Sequence, residues 1–290
     1  MSSDTLYVLT GTCASRLGSV ELVTGFLFRE QCYITELNTY DDAEGGQFFI
    51  RAEFRPAEDS EEFIAQLSED FAGLAESYSM EWRIRNVREK VRTLIMVSRF
   101  DHCLQDLLHR AQTGHLPIDV TAIVSNHPDF KNLADWYGIP YYHLPVTPDT
   151  KAAQEAELMK IVAQTDTALV VLARYMQVLS EDLCEKLSGR AINIHHSLLP
   201  GFKGAKPYHQ AFDKGVKLVG ATAHYVSNDL DEGPIITQGV EAVDHSYTPE
   251  RLTAKGRDTE RLTLARAVRL HCEDRIFLHG SKTVVFQGHE

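Results

Sequence analysis

Runs of largely apolar residues alternate with amphipathic stretches in the part of the chain after residue 90. Two such runs are Thr93–Val97 and Ala168–Ala173, with a further strand predicted at Ile118–Val124 and helical spacing between them. A strand that is apolar along its whole length is buried on both faces, which is typical of a parallel sheet covered by helices. We therefore predict an α/β domain with a mostly parallel, Rossmann-like sheet and later strands at Val219–Val226 and Ile235–Val240.

The first ninety residues follow a different pattern. Alternating apolar and polar residues predict strands, and apolar residues three or four apart predict helices. The predicted elements are, in order, the strand Leu6–Gly11, the helix Gly18–Glu30, the strands Cys32–Tyr40 and Gln47–Phe54, the helix Glu61–Tyr78 and the strand Trp82–Val87. This βαββαβ order is the ferredoxin-like arrangement. Since residues 86–90 are polar, we predict two domains, 1–88 and 89–290.

Composition and charge exclude several classes of protein. The net charge of −12 disfavours a nucleic-acid partner or an anionic membrane surface. No apolar run approaches the ~20 residues that span a bilayer, and the N-terminal residues lack the pattern of a signal peptide. The five cysteines are scattered and form no C-x-x-C pair, which is typical of reduced thiols. We expect a cytoplasmic protein that binds neither nucleic acid nor membrane.

One short segment combines side chains suited to carbonyl chemistry. Asn193 and His195 lie two positions apart at the end of a predicted strand, so they should point to the same side. Asp231 follows in the turn-like segment Asp229–Pro234. An amide and an imidazolium can donate hydrogen bonds to a developing oxyanion, and a carboxylate can orient the attacking group and take its proton. These three residues are the candidate catalytic groups; the alternative is a strand-end Asn, a helix-capping His and an unrelated turn Asp.

The same residues carry a resemblance to a known family. The pattern Asn-x-His-x-Ser-Leu-Leu-Pro at Asn193–Pro200 and the later Leu-Asp-x-Gly-Pro at Leu230–Pro234 resemble the motifs of the formyl-transferring folate enzymes. Asn193, His195 and Asp231 fall on the three catalytic positions of that family. The resemblance implies the formyltransferase fold, with 10-formyltetrahydrofolate as the substrate and no separate cofactor. No H-E-x-x-H pattern is present, and we expect no catalytic metal.

The loop after the first strand of the second domain bears on the acceptor of the formyl group. Family members that formylate a nucleotide carry a Gly-x-Gly-Ser-Asn loop there, whose backbone amides hold a phosphate. The matching run Ser98–Leu104 has no glycine, and Phe100 and Asp101 would crowd or repel a phosphate. This run is instead similar to the loop of the formyltetrahydrofolate deformylases of the family. Water is therefore the expected acceptor, with formate and tetrahydrofolate as products.

Three other segments resemble the same deformylases. Leu172–Ser180 is similar to their pterin-binding loop, although an ordinary strand-to-helix connection is the alternative. Gly204–Ala211 and Gly220–Val226 are similar as well, and His224 either shapes the site or is a buried structural histidine. The substrate-binding residues that this resemblance implies are Arg174, Met176, Gln177, Val178, Leu179 and His224.

The N-terminal domain resembles an ACT-type regulatory domain. Its first loop reads Ser15-Arg16-Leu17-Gly18 where the family has Asp-Arg-Pro-Gly. Two interpretations stay open, because the domain either binds an amino-acid effector or only builds an oligomer interface. A homodimer or homotetramer is expected from the resemblance.

The hypothesis from sequence is a hydrolase that cleaves the linear amide C–N bond of 10-formyltetrahydrofolate, balances one-carbon folate pools and supplies formate for purine synthesis. One rival is a folate-dependent N-formyltransferase that acts on a small amine. Another is an effector-binding regulator with a vestigial catalytic domain, against which the intact Asn193, His195 and Asp231 argue.

Overall fold

The computed structural model describes residues 5–201 and 207–288. Contacts divide the chain into two compact units. The first comprises Met1–Lys90 together with Glu273–Phe277 and Val284–Glu290, and the second comprises Val91–Cys272 and Leu278–Thr283. Segments far along the sequence therefore belong to the first unit, which no local pattern in the sequence indicates.

The first unit contains an antiparallel sheet and two helices. Its elements are β1 (Tyr7–Ala14), α1 (Ser19–Arg29), β2 (Tyr33–Asp42), β3 (Gln47–Arg55), α2 (Glu61–Glu76) and β4 (Glu81–Asn86). The sheet order is β2-β3-β1-β4. The predicted ferredoxin-like βαββαβ order is confirmed, and each boundary lies within a few residues of its prediction.

One face of this sheet builds the core that alternation predicts. Phe48, Ile50 and Phe54 on β3 are buried beneath the two helices. Phe26 of α1 and Phe71 of α2 meet with ring centroids 5.1 Å apart. Such aromatic pairs add stabilisation beyond the apolar area that they bury.

The intervening positions of β3 are buried as well, which alternation does not predict. Phe49 is fully buried, its ring centroid 5.7 Å from that of Phe277, and Arg51 is only 1% exposed. The backbone carbonyl of Glu273 accepts a hydrogen bond from Arg51 Nε at 3.1 Å. Glu273 lies just before a short hairpin, and Phe277 lies in its first strand. The hairpin consists of β12 (Ile276–His279) and β13 (Lys282–Val285), and the sequence analysis did not predict it.

The second unit is built on a seven-stranded sheet with the order β11-β10-β9-β8-β5-β6-β7. Its strands are β5 (Val91–Val97), β6 (Ile118–Ser125), β7 (Tyr141–His143), β8 (Leu169–Leu172), β9 (Ala191–His195), β10 (Leu218–Tyr225) and β11 (Ile235–Ala242). Its helices are α3 (His102–Gln112), α4 (Lys131–Tyr137), α5 (Lys151–Gln164), α6 (Glu181–Lys186), α7 (Pro207–Lys214) and α8 (Pro249–Cys272). Five neighbouring strands of the sheet run parallel to one another: β9, β8, β5, β6 and β7. The strands β10 and β11 are added antiparallel at one edge. The predicted mostly parallel sheet is confirmed.

The ends of the central strands define where a site can form. β8 and β9 are adjacent and parallel, so the loops that follow their carboxyl ends leave the same edge of the sheet. β10 pairs antiparallel with β9 and sets His224 opposite Asn193. Among the helices of the described residues, none has the length and apolar character required to cross a membrane.

Candidate active site

The end of β9 supplies the first two site residues. Asn193 and His195 line one cavity of about 230 Å³, as their spacing of two along an extended strand requires. The remaining walls come chiefly from residues 172–179, which end β8 and follow it, and from residues 226–231 between β10 and β11. The structure therefore brings together the three catalytic candidates and all six predicted substrate-binding residues at one cavity.

His195 and Asp231 form a hydrogen bond in this cavity. His195 Nδ1 lies 3.2 Å from Asp231 Oδ1, and the two side chains are 7% and 12% exposed. The hydrogen bond from His195 is the main reason that the pKa of Asp231 is lowered, so the carboxylate is ionised near neutral pH. The other ring nitrogen, His195 Nε2, is buried and has no hydrogen-bond partner among the described residues. A buried polar atom without a partner is costly, so this nitrogen is a natural contact for a polar atom of a ligand.

Asn193 is oriented by a histidine. His224 Nδ1 lies 2.8 Å from the carbonyl oxygen of Tyr225 and must donate to it, because a carbonyl only accepts. Burial lowers the pKa of His224, which favours the neutral ring. Its Nε2 then accepts from Asn193 Nδ2, 3.2 Å away. The second hydrogen of that amide remains for a ligand. His224 lines the cavity and is also buried, so both roles that the sequence left open for it stay open.

A glycine allows the loop with Asp231 to fold back tightly. A Cβ on Gly233 would lie 1.7 Å from the carbonyl oxygen of Tyr225 and 3.0 Å from His224 Nδ1. Asp231 itself adopts a left-handed backbone with φ 59°. The loop is closed by a hydrogen bond of 2.9 Å from Tyr225 N to the carbonyl of Pro234. The Leu-Asp-x-Gly-Pro pattern is thus explained by backbone approach as well as by chemistry.

The loop after β8 forms an apolar wall. Met176 and Val178 line the cavity with side chains that are 49% and 56% exposed, which is unusual for residues of this type. The loop is fixed by Ser98, whose hydroxyl accepts from Met176 N at 2.9 Å and donates to Asn126 Oδ1 at 2.8 Å. Leu230, 62% exposed beside Asp231, adds an apolar contact that sequence reasoning missed.

A buried carboxylate behind the cavity was also missed. Glu260 of α8, 1% exposed, accepts from Tyr208 Oη at 2.7 Å and contacts His102 Nε2 at 2.8 Å and Arg174 Nε at 3.2 Å. Burial alone would raise the pKa of Glu260, but the hydrogen bond from His102 and the charge of Arg174 outweigh it and lower that pKa. Nothing in the pattern of α8 distinguishes Glu260, because its partners lie on three distant segments.

The neighbouring His196 also lines the cavity and is held neutral. Burial, then the nearby charge of Arg174, lowers its pKa to about 4. Its ring lies 5.0 Å from that of His195 and 6.3 Å from that of Tyr208. The two adjacent histidines therefore line the same cavity, with His195 beside Asp231 and His196 beside Tyr208.

The groups around Glu260 have the residue types of a metal site. Single atoms of His102, Cys103 and Glu260 lie within 4.8 Å of one another. Burial keeps the pKa of Cys103 well above its usual value, so the sulfur is a thiol, and the Arg174 charge lies beside the carboxylate. A protonated thiol and a neighbouring cation do not suit a metal ion, and the hydrogen bond between His102 Nε2 and Glu260 accounts for two of the three groups.

One segment from the sequence comparison is not fully described. In Gly204–Ala211, residues 204–206 lie outside the described residues, and the remainder begins α7. Tyr208 is the member of this segment that reaches Glu260.

Comparison with known proteins assigns the class. The model of the formyl transferase family matches residues 91–268, more than half of the chain and the whole of the cavity described above. The chain belongs to the formyl transferase family.

Particular relatives are more informative. Over 287 residues, 99% of this chain and 100% of the relative, the chain is 52% identical to the formyltetrahydrofolate deformylase of Corynebacterium sp. (strain P-1). The crystal structure of formyltetrahydrofolate deformylase from Burkholderia mallei superposes with a TM-score of 0.93 at 53% identity, covering 98% of this chain and 100% of that one. Glycinamide ribonucleotide transformylase 1 from Symbiobacterium toebii reaches a TM-score of 0.64 at 30% identity, covering 69% of this chain and 95% of that one. The likeness extends over the full chain only for the deformylases among these three.

Proposed function

We propose that the protein hydrolyses 10-formyltetrahydrofolate to formate and tetrahydrofolate. The observation that carries this proposal is the convergence of Asn193, His195 and Asp231 on one cavity, with His195 Nε2 left for a ligand oxygen. The relatives named deformylase, which align with nearly the full length of the chain, support the same activity.

The roles follow from donors and acceptors. Water, oriented by the Asp231 carboxylate, adds to the formyl carbon and gives up a proton to that carboxylate. Asn193 Nδ2 and His195 donate hydrogen bonds to the oxyanion that forms. The bond from carbon to the folate N10 then breaks and N10 takes a proton, so one water and one formyl-folate yield one formate and one tetrahydrofolate.

The folate ring is proposed to lie along the apolar wall. Met176, Val178 and Leu179 provide its faces, and the backbone around Gln177 provides hydrogen-bonding groups. Arg174 and His224 complete the set of proposed substrate-binding residues. Since the folate is itself the substrate, the proposed reaction uses no separate cofactor and no metal.

The loop after β5 supports water as the acceptor. The ring of Phe100 lies beside two guanidinium groups, with Arg174 Cζ 5.5 Å and Arg257 Cζ 5.6 Å from its centroid. A bulky ring in contact with two cations fills the position where a phosphate-binding loop would need a bare backbone.

Residues 1–88 are proposed as an ACT-like regulatory and oligomerisation domain, and 89–290 as the hydrolase domain. A shallow cavity lies at the β1–α1 loop, lined by residues 15–21 with Asp41 and Phe48. Arg16 covers the ring of Tyr78 with Cζ 3.7 Å from its centroid, and Leu17 is 98% exposed. An amino-acid effector and a second subunit are the two occupants to test, with a dimer or tetramer expected. By the same proposal the enzyme is cytoplasmic and supplies formate for purine synthesis.

The test is a stopped assay with purified protein, 10-formyltetrahydrofolate and no amine. Formate and tetrahydrofolate are measured in the same samples, and equal amounts are expected at a rate set by enzyme concentration. Binding of the folate without release of either product would contradict the proposal.

A further inference from the structure

Two side chains in the cavity wall depend on one buried group behind it. Arg174 contacts Glu260 directly, with Nε 3.2 Å from Oε2. His196 is connected to Glu260 through Tyr208. The ring centroids of His196 and Tyr208 lie 6.3 Å apart, and the Tyr208 hydroxyl donates a hydrogen bond to Glu260 Oε1 at 2.7 Å. Neither the carboxylate nor the tyrosine has a role in the hydrolysis described above.

Arg174 needs this support more than an ordinary arginine. Its backbone is left-handed, with φ 65°, and the residue is only 8% exposed. A buried guanidinium without a counter-ion is strongly disfavoured and would move toward water. The carboxylate on one side and the ring of Phe100 on the other define where Arg174 lies.

We propose that Glu260 is a positioning residue that selects the acceptor: by holding Arg174 and, through Tyr208, His196 against the cavity, it admits water to the formyl carbon and excludes an amine. This inference rests on the proposed hydrolysis. It assigns the choice of acceptor to a buried charge on α8 in addition to the loop after β5.

Without the charge of Glu260, an amine can replace water as the acceptor of the formyl group. When an amine enters, its nitrogen bonds to the formyl carbon, the bond to N10 breaks, and one amine proton ends on N10. The products are an N-formyl amine and tetrahydrofolate, so tetrahydrofolate released equals formate plus N-formyl amine. The ratio of the last two measures acceptor choice independently of the overall rate.

The test uses the full-length protein with 10-formyltetrahydrofolate and added glycinamide, and measures formate and N-formylglycinamide. Glu260→Gln keeps the size of the side chain and removes its charge. The ratio of N-formylglycinamide to formate is expected to rise by about tenfold or more over wild type, the discrimination that one pocket contact typically supplies. Tyr208→Phe keeps the ring beside His196 and removes one bond to Glu260, so a smaller rise is expected.

Asp106→Asn is the matched control. Asp106 is half-buried on α3 and links that helix to α8 through Arg261 Nη1 at 3.5 Å, as His102 does through Glu260. The substitution removes a charge between the same two helices. The ion pairs of Asp106 are with Arg110 and Arg261, and not with Arg174. Its product ratio is expected to equal that of wild type.

Three results would overturn the inference. They are an unchanged ratio in Glu260→Gln, an equal rise in Asp106→Asn, and, if Glu260→Gln does not fold, an unchanged ratio in Tyr208→Phe. A merely structural role would lower both products in proportion and leave the ratio constant. Wild-type protein that releases no formate without amine would contradict the proposed function instead, and the inference with it.

Discussion

Each of the two units buries an ion cluster. The clusters differ in whether every hydrogen-bond donor of the buried arginine has an acceptor. In the first unit, Arg51 donates from Nε, Nη1 and Nη2 to Glu273 O, Glu36 and Glu53. Arg275 binds both oxygens of Glu36, at 3.0 and 2.8 Å. Hydrogen bonds from Arg275 are the main cause that lowers the pKa of Glu36, so its charge persists below the usual pKa of 4.5.

The cluster in the second unit is incomplete. Arg174 Nε lies 3.2 Å from Glu260, yet its hydrogen is not directed at an acceptor among the described residues. His195 Nε2, in the same cavity, also lacks a partner there. Fully paired charges hold segments together, whereas buried donors left over beside a cavity indicate a place for a ligand. The following predictions test that distinction.

The largest effect is expected from Arg51→Ala. Removing this buried guanidinium leaves Glu53 without its cation and Glu36 with Arg275 alone, and breaking a buried ion cluster in this way typically costs about 3–5 kcal/mol. Urea unfolding should show this loss in the free energy of unfolding. Arg29→Ala, which removes an exposed pair with Glu21, is the control and should cost less than about 1 kcal/mol. Equal effects of the two substitutions would show that the cluster contributes no more than a surface pair.

His195→Ala should lower hydrolysis by on the order of 10²–10³ with folate binding nearly intact, because one oxyanion donor is lost. Asp231→Asn should abolish hydrolysis, because the carboxylate that orients the water and takes its proton is lost. The rate of formate release and the Kd for the folate are measured separately, with the exposed His143→Ala as control. Full activity in either site variant would remove the basis of the proposed mechanism.

Gly233→Ala should impair the site by geometry alone. The added methyl group would meet the carbonyl oxygen of Tyr225, so the loop must move and Asp231 with it. A loss of roughly 10²-fold in kcat is expected, as for other small misplacements of catalytic groups. Gly215→Ala provides a control, since no atom lies within 4 Å of a Cβ there; its φ of 62° carries only a local backbone cost. Unchanged kcat in Gly233→Ala would show that the loop tolerates the shift.

The smallest effect expected is a pH dependence confined to the second unit. His196 has its pKa lowered from 6.5 to about 4, so the unfolded chain binds more protons between these values. Its contribution to stability is complete above pH 6.5 and is lost as the pH falls toward 4. Residues 5–90 contain no histidine, so this part of the first unit has no imidazole that titrates in this window. The Tm of His196→Gln should fall less than that of wild type between pH 7 and 5, and parallel curves would contradict this assignment.

Prediction from sequence succeeded where local patterns decide the structure. The largely apolar β5 and the fully apolar β8 revealed a parallel sheet, and alternation on β3 revealed the inner face of the first sheet. The site motif brought Asn193 and His195 to one cavity because strand geometry requires it, while their catalytic roles stay a prediction. Arg51 and Glu260 could not be found this way. Each resembles a surface charge in sequence, and its burial depends on partners such as Glu273 and Tyr208 far along the chain.

The discontinuity of the first unit has a consequence for biosynthesis. Residues 5–90 leave the ribosome early, but Arg51 cannot complete its contacts until Glu273 has been translated. The aromatic face of Phe49 likewise waits for Phe277. During that interval the nascent sheet leaves the charge of Arg51 and the ring of Phe49 without their later partners, and such transiently exposed surface favours aggregation of a folding chain.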